Sequence, residues 1–172
     1  MDDKIQALIE ELDCDDIIPC QQARRELVSL GSKAVGPLVE ALSSNRAWVR
    51  WEAAKALGQI RDTSAVKALV AALEDREFDV RWLAAEALIR IGPASIEPLL
   101  ATLEDHGDKS LTLRRGAHHV FHDMNRGAYD ELLRPVMAAV DDSAPAVEVL
   151  LAAGKALDAL KKMKRASGRK AS

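Results

Sequence analysis

Apolar residues return every three or four positions through most of this chain. In 80–91, Val80, Ala84, Ala87, Leu88 and Ile91 fall within one stripe when successive residues are set about 100° apart, as on an amphipathic helix with one buried face. The pattern is also copied at a fixed distance. Val49, Trp51, Ala53, Ala54, Ala56 and Leu57 reappear 31 positions later as Val80, Trp82, Ala84, Ala85, Ala87 and Leu88, and Leu69, Leu73, Glu74 and Asp75 reappear 30 later. A period of this size means stacked supersecondary units, each too small to bury both of its faces alone.

An earlier copy aligns at a shift of 61, with Ala23, Leu27, Gly31, Val35, Pro37 and Leu42 answering Ala84, Leu88, Gly92, Ile96, Pro98 and Leu103. Leu8 and Leu12 match Leu69 and Leu73, so the chain begins with the second helix of a unit. Later copies decay, with extra residues near 107–110 and 125–133. The pattern predicts about ten helices in antiparallel pairs, over 3–12, 17–30, 33–42, 46–60, 64–74, 78–91, 94–104, 110–124, 129–140 and 146–163. Gly31, Gly58, Gly92, Gly107 and Gly127 fall near the expected helix ends, and Pro37, Pro98 and Pro135 fall early in helices. Residues 1–164 read as one array, and 165–172 as a basic, disordered tail without apolar periodicity.

Composition supports the helical reading and limits the function. Aromatics make up only 3% of the chain, and Ala and Leu supply most of its apolar content, which suits close helix packing. Six of the 24 Lys/Arg lie after Leu160, so the preceding body sets 18 basic residues against 27 acidic ones, a net of −9. Such a body suits a nucleic-acid backbone poorly. No signal or membrane-spanning segment is visible, which makes the cytoplasm the expected location. No Gly-rich phosphate loop, GxSxG elbow or calcium loop occurs.

The segment VRWEAAKALGQIRDTSAVKALVAALED, residues 49–75, resembles the short HEAT-like repeat of the phycobilisome-lyase type, and the likeness runs from Asp3 to about Leu160. The resemblance implies an all-α fold, an α-α superhelix or HEAT-like solenoid of about five antiparallel helix pairs. The family's Asp-to-Arg ladder is matched by Asp75 with Arg81 and by Asp108 with Arg114, whereas Arg50 has Ser44 opposite it. Scaffolds, chromophore lyases and a metal-dependent hydroxylase share this repeat. The hydroxylase uses His-Glu pairs, and no His-Glu dipeptide occurs in this chain.

Function is then sought on the faces that the core stripe leaves free. One unit offers Trp48, Trp51, Lys55 and Gln59 with Glu52 at the edge, and the next offers Phe78, Trp82, Glu86 and Arg90. Large aromatics flanked by charges are typical anchors for protein recognition. The competing reading is that Trp51 and Trp82 fill the groove between repeats.

A second cluster, residues 114–124, carries His118 and His122 four apart, with Arg115, His119 and Asp123 nearby. His118, His122 and Asp123 could serve a metal, but the set is incomplete and Arg115 opposes a cation, so a polar helix face is the plainer reading. Cys14 and Cys20 stand at ladder positions, where their side chains could approach across a turn and pair, but without secretion or a CxxC spacing reduced thiols are the expectation.

The expected function is a non-enzymatic scaffold or adaptor without a cofactor. It binds a protein or peptide through Trp48, Trp51, Lys55, Phe78, Trp82, Glu86, Arg90, Arg115 and His119, with nucleic acid and membrane disfavoured as partners. The alternative is a bilin lyase or isomerase-like subunit or a metal-dependent enzyme of the same repeat group.

Overall fold

The computed structural model describes residues 2–13, 17–125, 127–141 and 144–170. Among them the chain is all-α, of the helix-pair solenoid class, with ten α-helices, several of them entered through a 3-10 turn, and no strand. No helix among the described residues is long and apolar enough to cross a membrane. The fold divides into two compact units, Met1–Ile91 and Gly92–Ser172.

The first unit holds α1 (Asp2–Glu10), α2 (Ile17–Leu30), α3 (Val35–Ala41), α4 (Ala47–Ile60), α5 (Val66–Ala72) and α6 (Phe78–Ile91). Helices α2, α4 and α6 pack side by side in one layer, backed by α1, α3 and α5. Between the layers lie Leu12, Leu27, Leu38, Leu57, Leu69 and Leu88, all fully buried. The 31-residue echo is thus an echo of contacts: Leu57 and Leu88 do the same work in successive repeats.

Helix ends follow the repeat with one exception. Gly31 and Gly92 adopt left-handed φ values of 60° and 87° after α2 and α6, and the same column after α4 holds Arg61 at φ 61°. Arg61 closes α4 by donating its N–H to the Leu57 carbonyl at 2.9 Å. Gly58, expected near this end, lies inside α4 and serves packing instead. Only glycine takes a positive φ without a Cβ penalty, so Arg61 holds local strain.

The charged ladder runs between repeats, which corrects the expectation of pairing within one. Arg50 Nε and Nη2 donate to the two Asp75 oxygens, 25 residues on, at 2.6 and 2.8 Å. The remaining Nη1 donates to the Ser44 carbonyl at 2.9 Å. Arg81, six residues from Asp75, donates to the Asp75 carbonyl at 2.7 Å. The other expected pair leaves Asp108 Oδ1 and Arg114 Nε buried without a hydrogen-bond partner among the described residues. Burial pushes the Asp75 carboxyl up, but the Arg50 hydrogen bond, the Glu77 N–H and the charges of Arg50 and Arg76 outweigh it and hold the group below its usual range.

The second unit holds α7 (Ile96–His106), α8 (Leu111–Met124), α9 (Asp130–Val140) and α10 (Ala146–Lys170). Helix α10 packs against both α9 and α7. The contact with α7 is close at Gly154, where a Cβ would lie 2.7 Å from Glu104 Oε1. The segment expected as a tail from Arg165 is helical as far as Lys170. Lys, Arg and Ala there are good helix formers, and cations favour a helix C-terminus.

Two stability measurements test these assignments. Arg61→Gly relieves the left-handed cap and raises unfolding free energy in urea by about 1 kcal/mol; an unchanged or lowered value counts against strain at this residue. Asp75→Asn leaves the buried Arg50 charge uncompensated and costs about 3 kcal/mol at neutral pH. A carboxyl held below its unfolded pKa of about 3.9 stabilises fully above that pH, and the contribution is lost as pH falls through the folded value. The gap between wild type and Asp75→Asn therefore narrows below about pH 4.

Candidate functional site

Small residues on the facing sides of α4 and α6 decide where the large ones go. Ala53, Ala54 and Gly58 of α4 and Ala84, Ala85 and Ala87 of α6 are buried. A Cβ at Gly58 would lie 3.0 Å from both Cα and Cβ of Ala87, so the helices touch through backbone and methyl groups.

Aromatic rings are left on the outer face. Phe78 is 64% exposed, Trp82 47% and Trp48 37%, while Trp51 is half-buried. The Trp48 and Trp51 rings stack with centroids 4.8 Å apart and planes 12° apart, and Phe78 stacks on Trp82 at 6.4 Å. Lys55 Nζ sits 4.2 Å from the Trp51 ring centroid, a cation–π contact. Trp48 Nε1 donates to Cys20 Sγ at 3.2 Å. Trp51 is thus partly a packing residue, whereas Trp48, Phe78 and Trp82 keep substantial apolar surface in solvent.

Glu52, expected at the edge of this face, is instead buried. Its Oε2 accepts from Arg24 Nε at 2.6 Å, with side-chain exposures of 1% and 7%. Arg24 Nη1 also donates to Gln59 Oε1 at 3.1 Å. Burial raises the Glu52 carboxyl above its usual range, and the Arg24 charge, the Arg24 hydrogen bond and Lys55 offset only part of that. Arg24 was missed in the sequence, although a signal existed. It aligns with Ala54 and Ala85, and Glu52 aligns with Gln22 and Leu83, so a charge in an otherwise apolar column faces a charge in a mixed one.

Lys55 lies above this pair. Burial, then the Arg24 charge and, more weakly, that of Arg90 push its ammonium below the usual value against the pull of Glu52. A cavity of about 220 Å³ opens here, floored by Ala54, Gly58 and Ala87 and walled by Trp82 and Leu83, with Lys55, Gln59, Glu86 and Arg90 around it. A second cavity, of about 270 Å³, lies between Trp48, Trp51, Glu77 and Asp79. The structure therefore brings together Trp48, Trp51, Lys55, Phe78, Trp82, Glu86 and Arg90 on α4 and α6. Arg115 and His119 lie on α8 of the second unit.

The histidine cluster offers less. The rings of His118 and His122 are 6.3 Å apart, centroid to centroid, on α8. Among the described residues no group of three or more His, Cys, Asp or Glu side chains could hold a metal ion, so Asp123 does not complete a site. Arg115 and His118 border a cavity of about 250 Å³ with Val140 and Asp141.

Cys20 is disulfide-bonded, against the expectation of a reduced thiol. That expectation rested on the assumed compartment and on the lack of a CxxC spacing. The ladder column carries the physical reason, since the aligned Arg81 reaches back 2.7 Å to the Asp75 carbonyl of the preceding turn. Cys14 lies outside the described residues.

The buried ion pair yields a test. Glu52→Ala strands the Arg24 charge and costs about 3–5 kcal/mol in urea unfolding followed by circular dichroism, whereas Arg24→Met combined with Glu52→Met stays within about 1 kcal/mol of wild type or exceeds it. A double variant as unstable as the single one would show that Arg24 has a further structural role.

A family model described as HEAT repeats matches residues 5–89 and 35–119. No curated protein matches the chain. Among solved structures, the crystal structure of an engineered protein from a structural genomics consortium is similar at 23% identity, covering 92% of this chain and 81% of that one, with a TM-score of 0.48.

Proposed function

The chain belongs to the HEAT-repeat family, and from that premise we propose that it is a non-enzymatic scaffold or adaptor that binds a protein or peptide through the outer face of α4 and α6. The observation that carries this reading is the exposure of Trp48, Phe78 and Trp82 around two cavities, in a chain with only six aromatic residues. Exposed aromatic surface costs free energy in water and is recovered when a partner covers it. Rigid rings flanked by Lys55, Glu86 and Arg90 combine apolar burial with charges that orient a partner. Arg115 and His119 enter the proposal as surface of the second unit.

Within the family, the reading favours the phycobilisome-lyase type of repeat, because the Arg50–Asp75 rung occupies the ladder positions of that pattern. The expected cytoplasmic setting is the part with an argument against it, since a disulfide at Cys20 suits an oxidising compartment.

The test is retention of partners from an extract of the native host by wild type and by Phe78→Ala with Trp82→Ala. Both substituted residues are exposed, so the fold survives, as circular dichroism checks. Loss of specifically retained proteins is expected, with affinity lowered at least tenfold, as for residues that anchor an interface. Retention of every partner by the folded variant removes this face as the site.

A further inference from the structure

We propose that this face takes one extended peptide segment, with a basic side chain in the cavity at Trp48 and Trp51 and an acidic side chain, three or four residues away, in the groove at Lys55 and Arg90. The proposal rests on the reading above that α4 and α6 bind a peptide.

The two cavities have opposite chemistry. At Trp48 and Trp51 the indoles meet the exposed carboxylates of Glu77 and Asp79; the Trp48 ring and Lys55 Nζ take the faces of Trp51, which leaves the exposed ring of Trp48 to meet a ligand cation. Arg50, whose charge reaches Glu77, commits two nitrogens to Asp75 and the third to backbone carbonyls. Carboxylates beside an indole face form a site for an ammonium or guanidinium group.

The other cavity is lined by Lys55 and Arg90 against Glu86, with the neutral Arg24–Glu52 pair buried beside Lys55, leaving one surplus positive charge. One surplus charge matches one carboxylate. A phosphate dianion exceeds it, and a nucleic-acid strand running along the face would meet Glu77 and Asp79. Trp82 and Leu83 provide an apolar wall for the methylenes of an aspartate or glutamate side chain.

Spacing sets the peptide register. Trp48 to Lys55 and Asp79 to Glu86 are each seven residues along their helices, so the cavities lie about 10 Å apart at a rise of about 1.5 Å per residue. A segment extended as a polyproline-II helix, with three residues per turn and a rise of about 3.1 Å, covers that distance in about three residues and returns its side chain to the same face.

The probe is a displayed library of random dodecapeptides, selected against wild type. Binders are then measured as synthetic peptides on wild type, on Lys55→Glu with Arg90→Glu, and on Glu77→Lys with Asp79→Lys. The milder pair Lys55→Gln with Arg90→Gln replaces the first reversal if circular dichroism shows that it does not fold. Expected is enrichment of Lys or Arg three or four residues from Asp or Glu, a loss of affinity of tenfold or more on each reversal, and recovery when the matching peptide charge is also reversed.

Enriched peptides without the charge pair, or affinities within twofold on both variants, overturn the proposal. If such peptides still lose binding on Phe78→Ala with Trp82→Ala, the aromatic face remains a binding face and only its charge code falls. A single-stranded DNA 20-mer that binds through Lys55 and Arg90 where no peptide is enriched overturns the peptide class itself.

Discussion

The close approach of α4 to α6 governs the rest of the first unit. With Gly58 against Ala87 and alanines on either side, the space between these helices admits methyl groups and nothing larger. Large side chains then have two places to go. Leucines fill the space between layers, where Leu57 and Leu88 are fully buried. Aromatic rings fall on the outer face, where they stack in pairs along each helix, and Trp82 walls a cavity whose floor belongs to this same row of small residues. Packing density and surface chemistry are therefore two consequences of one choice of residues.

Charge fixes how one repeat follows the next. Arg50 satisfies the carbonyl of the turn before it and grips Asp75 of the turn after it, so a single side chain measures the offset between repeats. A bidentate guanidinium–carboxylate contact has a narrow geometry and transmits that offset better than apolar contacts, which tolerate sliding. The preceding rung differs at both ends. Cys20 stands in the column of Arg50 and Arg81, and Ser44 in the column of Asp75. Where the cation is missing, the matching carboxylate is missing too, as expected if a buried Asp without its Arg would be costly.

Much of this was legible because repetition supplies its own alignment. Helix boundaries followed from periodicity, and the exposed aromatics from subtraction of the core stripe. What escaped depended on the third dimension. Gly58 looked like a helix end because glycine usually marks one, yet its role is set by Ala87, which lies 29 residues away. The cap fell to Arg61, a residue with no preference for a left-handed φ. Asp75 and Arg81 were joined by the ladder of the resembling repeat, whereas the side-chain pair links Asp75 to Arg50. Six residues across a turn place a guanidinium at backbone carbonyls; the next repeat brings the carboxylate. Glu52 was placed at the edge by the stripe of its own helix, which does not show that Arg24 of α2 covers and pairs with it.

That second charge connects stability to the candidate site. A buried Arg–Glu pair contributes little net stability, because desolvation of two ions cancels most of their attraction, and an Ala–Leu pair in the same columns serves the next repeat well. Stability alone therefore does not account for Arg24 and Glu52. Their position does more. Arg24 anchors Gln59 at one side of the groove and adds positive charge beneath Lys55, while Glu52 returns only part of it. The pair is neutral as a whole and does not line the cavity, but Arg24 acts on Lys55 more strongly than Glu52 does, and Lys55 and Arg90 against Glu86 leave a local positive excess in a chain body that carries nine surplus negative charges. Partly buried charges of this kind are screened less by salt than charges on a rim, so the local inversion of sign persists at physiological ionic strength.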